Sequence, residues 1–485
     1  TSTGDFKFLV PVDAGTTTAA TWDGSDTSFD LKETTNTGSA ASVSNINQLI
    51  ISVNGVIQKP NTGSYSASEE GFYLTDTDTI RFCTAPASGS SVFILQIGSA
   101  VSIPTPGDDT VSTAKIQSGA VTAAKIVSGA DFTFNSVVVG KGANSVAGNT
   151  VLGEGALDAS VSGGNNVAIG KNALTNLTSG TKNTAVGQIA LEDLTTGNSN
   201  CAIGSDALKN TTTGDYNIAI GVDALAANTT ANQGIAIGYQ ALDVNTTGAK
   251  NVAIGTSALG ANTTADDNTA IGNAALLENT TGADNVAIGA QALDANTTAS
   301  ENTAVGRQAL TDNTTGTSNT AVGRMALGNN TTADGNTAVG TDALFTSSTG
   351  AENTALGHSA MFANTTGSHN TALGSHALDA NTTGSQNVAV GKHALTANTE
   401  AGNNTAVGDR ALETNTTGAN NVAIGGIALD SNSTADNNVA VGYSAMLVNS
   451  TGTQNVAVGT YSLDANTTAS NNTAVGYAAL SDNTT

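Results

Sequence analysis

The residues with the most chemistry to offer are the four histidines, all of which lie between positions 358 and 393. His376 and His393 stand 17 residues apart, which is also the length of a repeat running through this part of the chain. On adjacent coils the two imidazoles would stack, and paired imidazoles are a common start for a metal site. No H-x-H and no Cys/His spacing accompanies them, and the repeat position they occupy is otherwise freely variable. The reading is therefore of solvated surface histidines, with no metal and no cofactor. His376 and His393 are the residues that would carry a metal if one bound.

Other chemistry is thinner. Asp and Glu favour the variable positions near turns, as at Asp266 and Asp267, but the G-G-x-G-x-D nonapeptide of calcium-binding β-rolls is absent. These acids read as solubilising charge, spread over several columns so that like charges do not stack. About fifteen N-T-T or N-S-T triplets match the N-glycosylation sequon. In each the Asn sits where the repeat needs a turn, so the match follows from the repeat itself. Repeated Thr raises ice binding by a Thr-x-Thr face, but Val167, Val252 and Val439 stand where that face would need Thr. There is no G-x-S-x-G, H-E-x-x-H or P-loop, and the aromatics of the repeat scatter over several columns without forming a sugar platform. The chain reads as a non-enzyme.

Three regions organise these residues. The 485-residue chain is poor in charge (11%) and aromatics (4%), and its net charge of −24 excludes nucleic-acid binding, which needs clustered Lys and Arg. No apolar run approaches a membrane span, and TSTGDFKFLV has neither the basic nor the apolar part of a secretory signal, so export by the ordinary secretory route is not expected. Cys83 and Cys201 fall in different regions and read as free buried thiols. Residues 1–105 alternate β-branched and aromatic runs (FKFLVPV, SFDLK, QLIISVNGVIQ, TIRFCTA, SVFILQIGSAV) with turn residues, and predict a β-sandwich. Residues 106–134 form a connector in which TVSTAKIQSG and AVTAAKIVSG are an imperfect tandem. Val111, Ile116, Val121 and Ile126 recur there every five residues. That spacing fits neither a helix nor a coiled coil, and it predicts an intertwined neck of several identical chains. Residues 135–485 form the shaft.

From Asn149 the shaft repeats N-[TV]-A-[VIL]-G-x-x-A-L-x-x-N-T-T-[GA]-x-x without slippage. The fifth position is Gly in all twenty copies, exemplified by Gly170, Gly255 and Gly408. The first is Asn except at Gly234, as in Asn166, Asn251 and Asn404. The ninth is Leu or Met, as in Leu174, Leu259 and Leu412. Two strand-like pieces, T-A-V and A-L-x, separated by Gly and N-T-T-G, predict one coil of a parallel β-roll or β-solenoid. The Gly marks a corner needing positive φ or close backbone approach. The Asn tolerates left-handed backbone and can form a side-chain ladder. The aliphatic and Leu columns are expected inside, and the Ala columns where a neighbouring sheet or chain comes close. So thin a coil cannot stand alone, and burial between chains is expected as well.

The phrase N-[TV]-A-[VI]-G-x-x-A-L resembles the N-S-V-A-I-G-x-x-[SA] repeats in the heads of Yersinia-type trimeric autotransporter adhesins, over residues 149–485. That resemblance implies a trimeric left-handed parallel β-roll. The period is longer here, with N-T-T-G inserted at one turn, and the adhesin's secretion signal and C-terminal membrane barrel are not found. ATWDGSDTSFDL, LIISVNGVIQKPNTGSYS, TIRFCTAPASGSSVFILQI and the connector's VTAAKI resemble the N-terminal parts of podovirus and cyanophage tail fibres. That resemblance implies a module fixing a homotrimeric fibre to the phage tail or an adaptor protein, and a shaft leading to a tip that meets the host receptor. The combined expectation is a virion-located, structural tail fibre without membrane insertion. The alternative is a trimeric surface adhesin whose roll binds host or matrix directly. The last copy, NTAVGYAALSDNTT, keeps its core positions, so the fibre is expected to continue beyond Thr485.

Overall fold

The computed structural model describes residues 6–97 and 131–484. The chain divides into two compact units, Thr1–Ile126 and Val127–Thr485. The tandem expected to form the neck lies outside the described residues. Both described parts are β, and among the described residues no helix is long and apolar enough to cross a membrane.

The first unit carries seven strands: β1 (Lys7–Asp13), β2 (Ser28–Glu33), β3 (Leu49–Val53), β4 (Val56–Ile57), β5 (Phe72–Leu74), β6 (Thr79–Phe82) and β7 (Val92–Gln96). They pair antiparallel in the order β4-β3-β7-β1-β2-β6-β5. The two-sheet sandwich expected there takes the form of one continuous half-barrel. Its concave side receives every second residue, the period of two of a half-buried strand. On β2, Phe29 and Leu31 are fully buried, and Ile51, Phe72, Ile80 and Ile94 join them. Trp22 closes one side, its ring 4.6 Å from that of Phe29. The β3–β4 turn is Asn54-Gly55 with φ of 53° and 85°, the positive pair that a two-residue hairpin requires.

In the second unit a hairpin of β8 (Phe132–Phe134) and β9 (Val137–Gly140) leads antiparallel into β10 (Thr150–Gly153). From there to β29 (Thr473–Val475) every strand pairs parallel with its neighbour at a shift of one 17-residue period, as in Val167↔Thr184 and Ala168↔Ala185. This is the expected solenoid, and nineteen steps at ~4.8 Å give it a length of roughly 90 Å.

Each coil has one strand, not two. T-A-V is extended, whereas A-L-x is a pair of tight turns, with Ala258 N–H on Gly255 C=O at 3.3 Å and Asn262 N–H on Leu259 C=O at 3.2 Å. A strand cannot turn two successive side chains to the same side, yet Ala258 and Leu259 are both fully buried. A left-handed Leu259 (φ 53°) between these turns makes that possible, and Leu174 (54°) and Leu412 (53°) do the same. Even the turns are stitched to neighbouring coils, for example Ser257 N–H to Tyr239 C=O at 2.9 Å and Leu259 N–H to Ala275 C=O at 3.0 Å.

The interior holds columns of Ala (third and eighth positions), Leu (ninth) and Asn (first and twelfth), all essentially without solvent exposure. The fourth-position column of Val, Ile and Leu, expected inside, points out. With Ala at the centre of a three-residue strand facing in, the residues on either side must face the other way. The interior is narrow enough to be filled by Ala opposite Leu.

Two Asn ladders supply the polar side of this core. At the first position, Asn268 N–H donates to Asn251 Oδ1 (2.9 Å) and Asn268 Nδ2 to Gly282 C=O (2.8 Å). At the twelfth, Asn262 Nδ2 donates to Asn245 Oδ1 (2.9 Å) and to Ala265 C=O (3.1 Å). Leu177 and Leu194 fill the twelfth position in early coils, and the ladder there begins with Asn228 on Thr211 Oγ1 at 3.1 Å. Neither ladder Asn is left-handed; that conformation falls instead on the residue before the first Asn, such as Asp267 (φ 58°).

Gly234 breaks the first ladder. Its own N–H still reaches Asn217 Oδ1 at 2.8 Å, but it offers no side-chain oxygen to Asn251 N–H. A Cβ there would meet nothing closer than Asn217 Oδ1 at 3.1 Å. Gly234→Asn is therefore expected to stabilise the shaft by about 1–3 kcal/mol, the penalty of a buried donor left unpaired. Comparing thermal melts of the two chains would check it; a lower melting temperature would contradict the ladder's role.

Candidate functional site

The surface of the coil offers three features that could act: the outward strand face, the rows at the corner after Gly, and the acidic turns. Asn166, Asn251 and Asn404, Gly170, Gly255 and Gly408, and Leu174, Leu259 and Leu412 belong to the frame that holds them. The Asn and Leu are fully buried. The glycines sit at φ 133°, 134° and 140°, with a would-be Cβ 2.3–2.5 Å from the backbone of the next coil's Gly.

The outward strand face is the most extensive. The second position presents Thr, Val, Ile or, once, Cys201, and the fourth Val, Ile or Leu, coil upon coil. Ile203, Ile254, Ile288, Leu356, Leu373 and Ile424 are 36–44% exposed although they lie on regular strands. The fourth column alone is aliphatic in every copy and, at ~5 Å wide over roughly 90 Å, makes an apolar strip on the order of 450 Å², flanked by a second column in which ten of the twenty residues are Thr. A typical monomer's largest patch is about 300–600 Å², and patches of that size mark contact surfaces. The first unit has a smaller one. Phe8 and Phe93, on neighbouring strands β1 and β7, are 68% and 46% exposed with ring centroids 6.5 Å apart, and Phe6 beside them is 67% exposed.

The corner after Gly gathers the aromatics that the sequence reading had scattered. The sixth position of one coil comes beside the seventh of the next. His358 thereby joins His376 and His393, which share the seventh position, in a row with centroid separations of 5.3 and 5.5 Å. Tyr443, Tyr461 and Tyr477 form another at 5.7 and 6.1 Å, and the tenth-position pair Phe345 and Phe362 stacks at 5.4 Å. His369 lies on another column and pairs with Glu352 at 3.0 Å. Treating positions six and seven as one column is the sequence signal that would have found both rows.

Several acids are structural. Asp266 Oδ1 accepts Ala249 N–H at 2.7 Å, and Asp334 and Asp436 accept Thr317 and Ala419 N–H at 2.6 Å, tying one coil to the one before. Asp430 is pushed up to about 6, by burial first, with Arg410 pulling it down and Glu413 raising it. Burial also raises Asp243, which with Glu278 borders an open cleft where Gly260 withholds a side chain. Among the described residues no three His, Cys, Asp or Glu groups converge on a point that could hold a metal ion. Cys83 is buried and Cys201 partly so, both free.

Most of the sequon asparagines are those of the second ladder; Asn210, one position before it, is exposed. Asn262, Asn296, Asn313 and Asn381 have no exposed surface, and each spends its amide on the previous Asn and a backbone carbonyl. A glycan on that nitrogen cannot coexist with the folded coil. Peptide mapping of the purified native chain is expected to find Asn262, Asn296, Asn313 and Asn381 unmodified, and hexose on any of these in folded material would contradict the ladder.

Comparison with protein-family models, with curated proteins and with solved structures found no match for this chain.

Proposed function

We propose that the chain is a structural fibre protein, a phage tail fibre acting in the virion as a homotrimer. Its shaft holds a host-binding element away from the particle. The observation that carries this reading is the unbroken outward stripe of aliphatic residues along a shaft built of one repeated coil. Three copies winding around a common axis would cover that stripe along its whole length. Burying apolar area at about 25 cal/mol per Å² would then add to the stability that each coil's own Ala–Leu core and Asn ladders provide. The net charge of −24 keeps the remaining surfaces hydrated and apart. The exposed Phe6, Phe8 and Phe93 suit the first unit to docking on a tail or adaptor protein. No catalytic role is assigned to the shaft.

Mass spectrometry of purified virions tests the reading. Finding the chain at a stoichiometry divisible by three supports it, and its absence from particles that adsorb normally overturns it. The alternative, a surface adhesin, is favoured by one observation: Tyr443 and Tyr461, 51% and 38% exposed on successive coils, give the corner accessible rings. Adhesion to host cells by the isolated chain would support that alternative.

A further inference from the structure

We propose that the histidine row is a binding site for a divalent transition-metal ion, with His376 and His393 as ligands, His358 as the adjoining third ring and Asp379 as the positioning carboxylate. The rings of His376 and His393 are stacked nearly parallel, 10° apart, with centroids at 5.5 Å. His376 Nδ1 lies 3.2 Å from Asp379 Oδ2. Donating the Nδ1 proton to that carboxylate leaves the lone pair on Nε2, the tautomer and orientation that a carboxylate–histidine–metal arrangement uses. The row is open to solvent: His358 is exposed, and the His376 side chain keeps 35% of its surface.

Metal–nitrogen bonds of about 2.0–2.1 Å require the two nitrogens to approach to roughly 3–4 Å. Side-chain rotation of the two partly exposed rings on adjacent coils would have to close that gap. The ion would then be held by the two rings, with water completing its shell; among the described residues no third group converges with them. Imidazole selects Zn²⁺, Ni²⁺ or Cu²⁺ over Mg²⁺ and Ca²⁺, which prefer oxygen ligands. The neighbouring charges leave the row free. Arg410, at the seventh position of the next coil, is engaged by Glu413 and by Asp430. Lys392 and Asp409, at the sixth positions beside His393, carry opposite charges.

The test is calorimetric titration of the full chain with NiCl₂ and ZnCl₂, with MgCl₂ as the hard-cation control. His376→Gln and His393→Gln are safe variants. Gln occupies the same position at Gln240, Gln291 and Gln308 with φ of 53–58°, matching 55° and 58° at the two histidines. Saturable Ni²⁺ and Zn²⁺ binding that is absent with Mg²⁺ and lost in the double variant is expected. Asp379→Asn should weaken binding about tenfold with the melting temperature unchanged, and Asp379→Glu should restore it. No saturable binding by the wild-type chain, equal binding by the double variant, or equal binding of Mg²⁺ would each overturn the site.

Discussion

Gly323→Val is expected to cut the solenoid in two. Gly323 has φ 137°, and a Cβ there would lie 2.5 Å from the Gly340 carbonyl oxygen and 2.6 Å from its carbon. Both are backbone atoms of the next coil, fixed by that coil's own hydrogen bonds, so neither can retreat as a flexible side chain would. The conformation itself is hostile to an L-residue and most of all to a β-branched one, at about 1–3 kcal/mol. With the clash added, the loss reaches about 4 kcal/mol or more, the range reserved for severe defects. Because coils touch only their neighbours, such a defect uncouples the two flanking stacks. The melt should split into two transitions, and limited proteolysis should cleave near the substitution. Gly426→Ala is the control: its added Cβ meets only the Tyr443 ring, at 3.5 Å (Cδ2) and 3.7 Å (Cε2), and its melt should stay near that of the parent. A single unchanged transition for Gly323→Val would refute the close-packed corner.

The second large effect concerns assembly instead of folding. Ile254, Ile288 and Val322 stand at the outward fourth position on alternate coils, each 36–38% exposed in the single chain. Changing all three to Lys puts charges ~10 Å apart along the stripe, beyond the Debye length of about 8 Å at physiological salt. The solenoid should therefore keep its circular-dichroism spectrum. If copies of the chain meet on this face, each Lys would be buried without a partner, at a cost of several kcal/mol apiece. The triple variant is expected as a folded monomer. An unchanged oligomer would place the contact elsewhere, and an unfolded chain would mean the stripe lies inside the coil.

How far the sequence discloses this architecture depends on the kind of information each position carries. Gly at the fifth position announces a backbone constraint, because no other property of Gly could explain its recurrence, and the structure shows both positive φ and a close carbonyl there. The period likewise discloses the parallel register without ambiguity. Which way a three-residue strand faces is harder to read. T-A-V suggests Val inward by hydrophobicity, yet Ala168, Ala253 and Ala406 are the buried residues. The clue was variance: the third position is Ala in every copy but Val151, whereas the fourth drifts among Val, Ile and Leu. A narrow interior tolerates no drift, and an outer face does. The adjacent Ala-Leu pair, broken only by Ser462, Met361 and Met446, carried a second clue, since two neighbouring core residues cannot both be buried on a strand. The stacking of His376 and His393 was legible from their shared column, but the place of His358 in that row and the tyrosine row were hidden for a different reason. They depend on a turn that brings the sixth position of one coil beside the seventh of the next, and no linear alignment of columns displays that offset.

Sedimentation equilibrium of the purified chain is the most direct test of the idea that the outward stripe is where copies of this protein meet. A mass three times the 47.7 kDa of one chain is expected, independent of concentration over the micromolar range. A monodisperse species of 47.7 kDa, with the aliphatic stripe left in water, would contradict it.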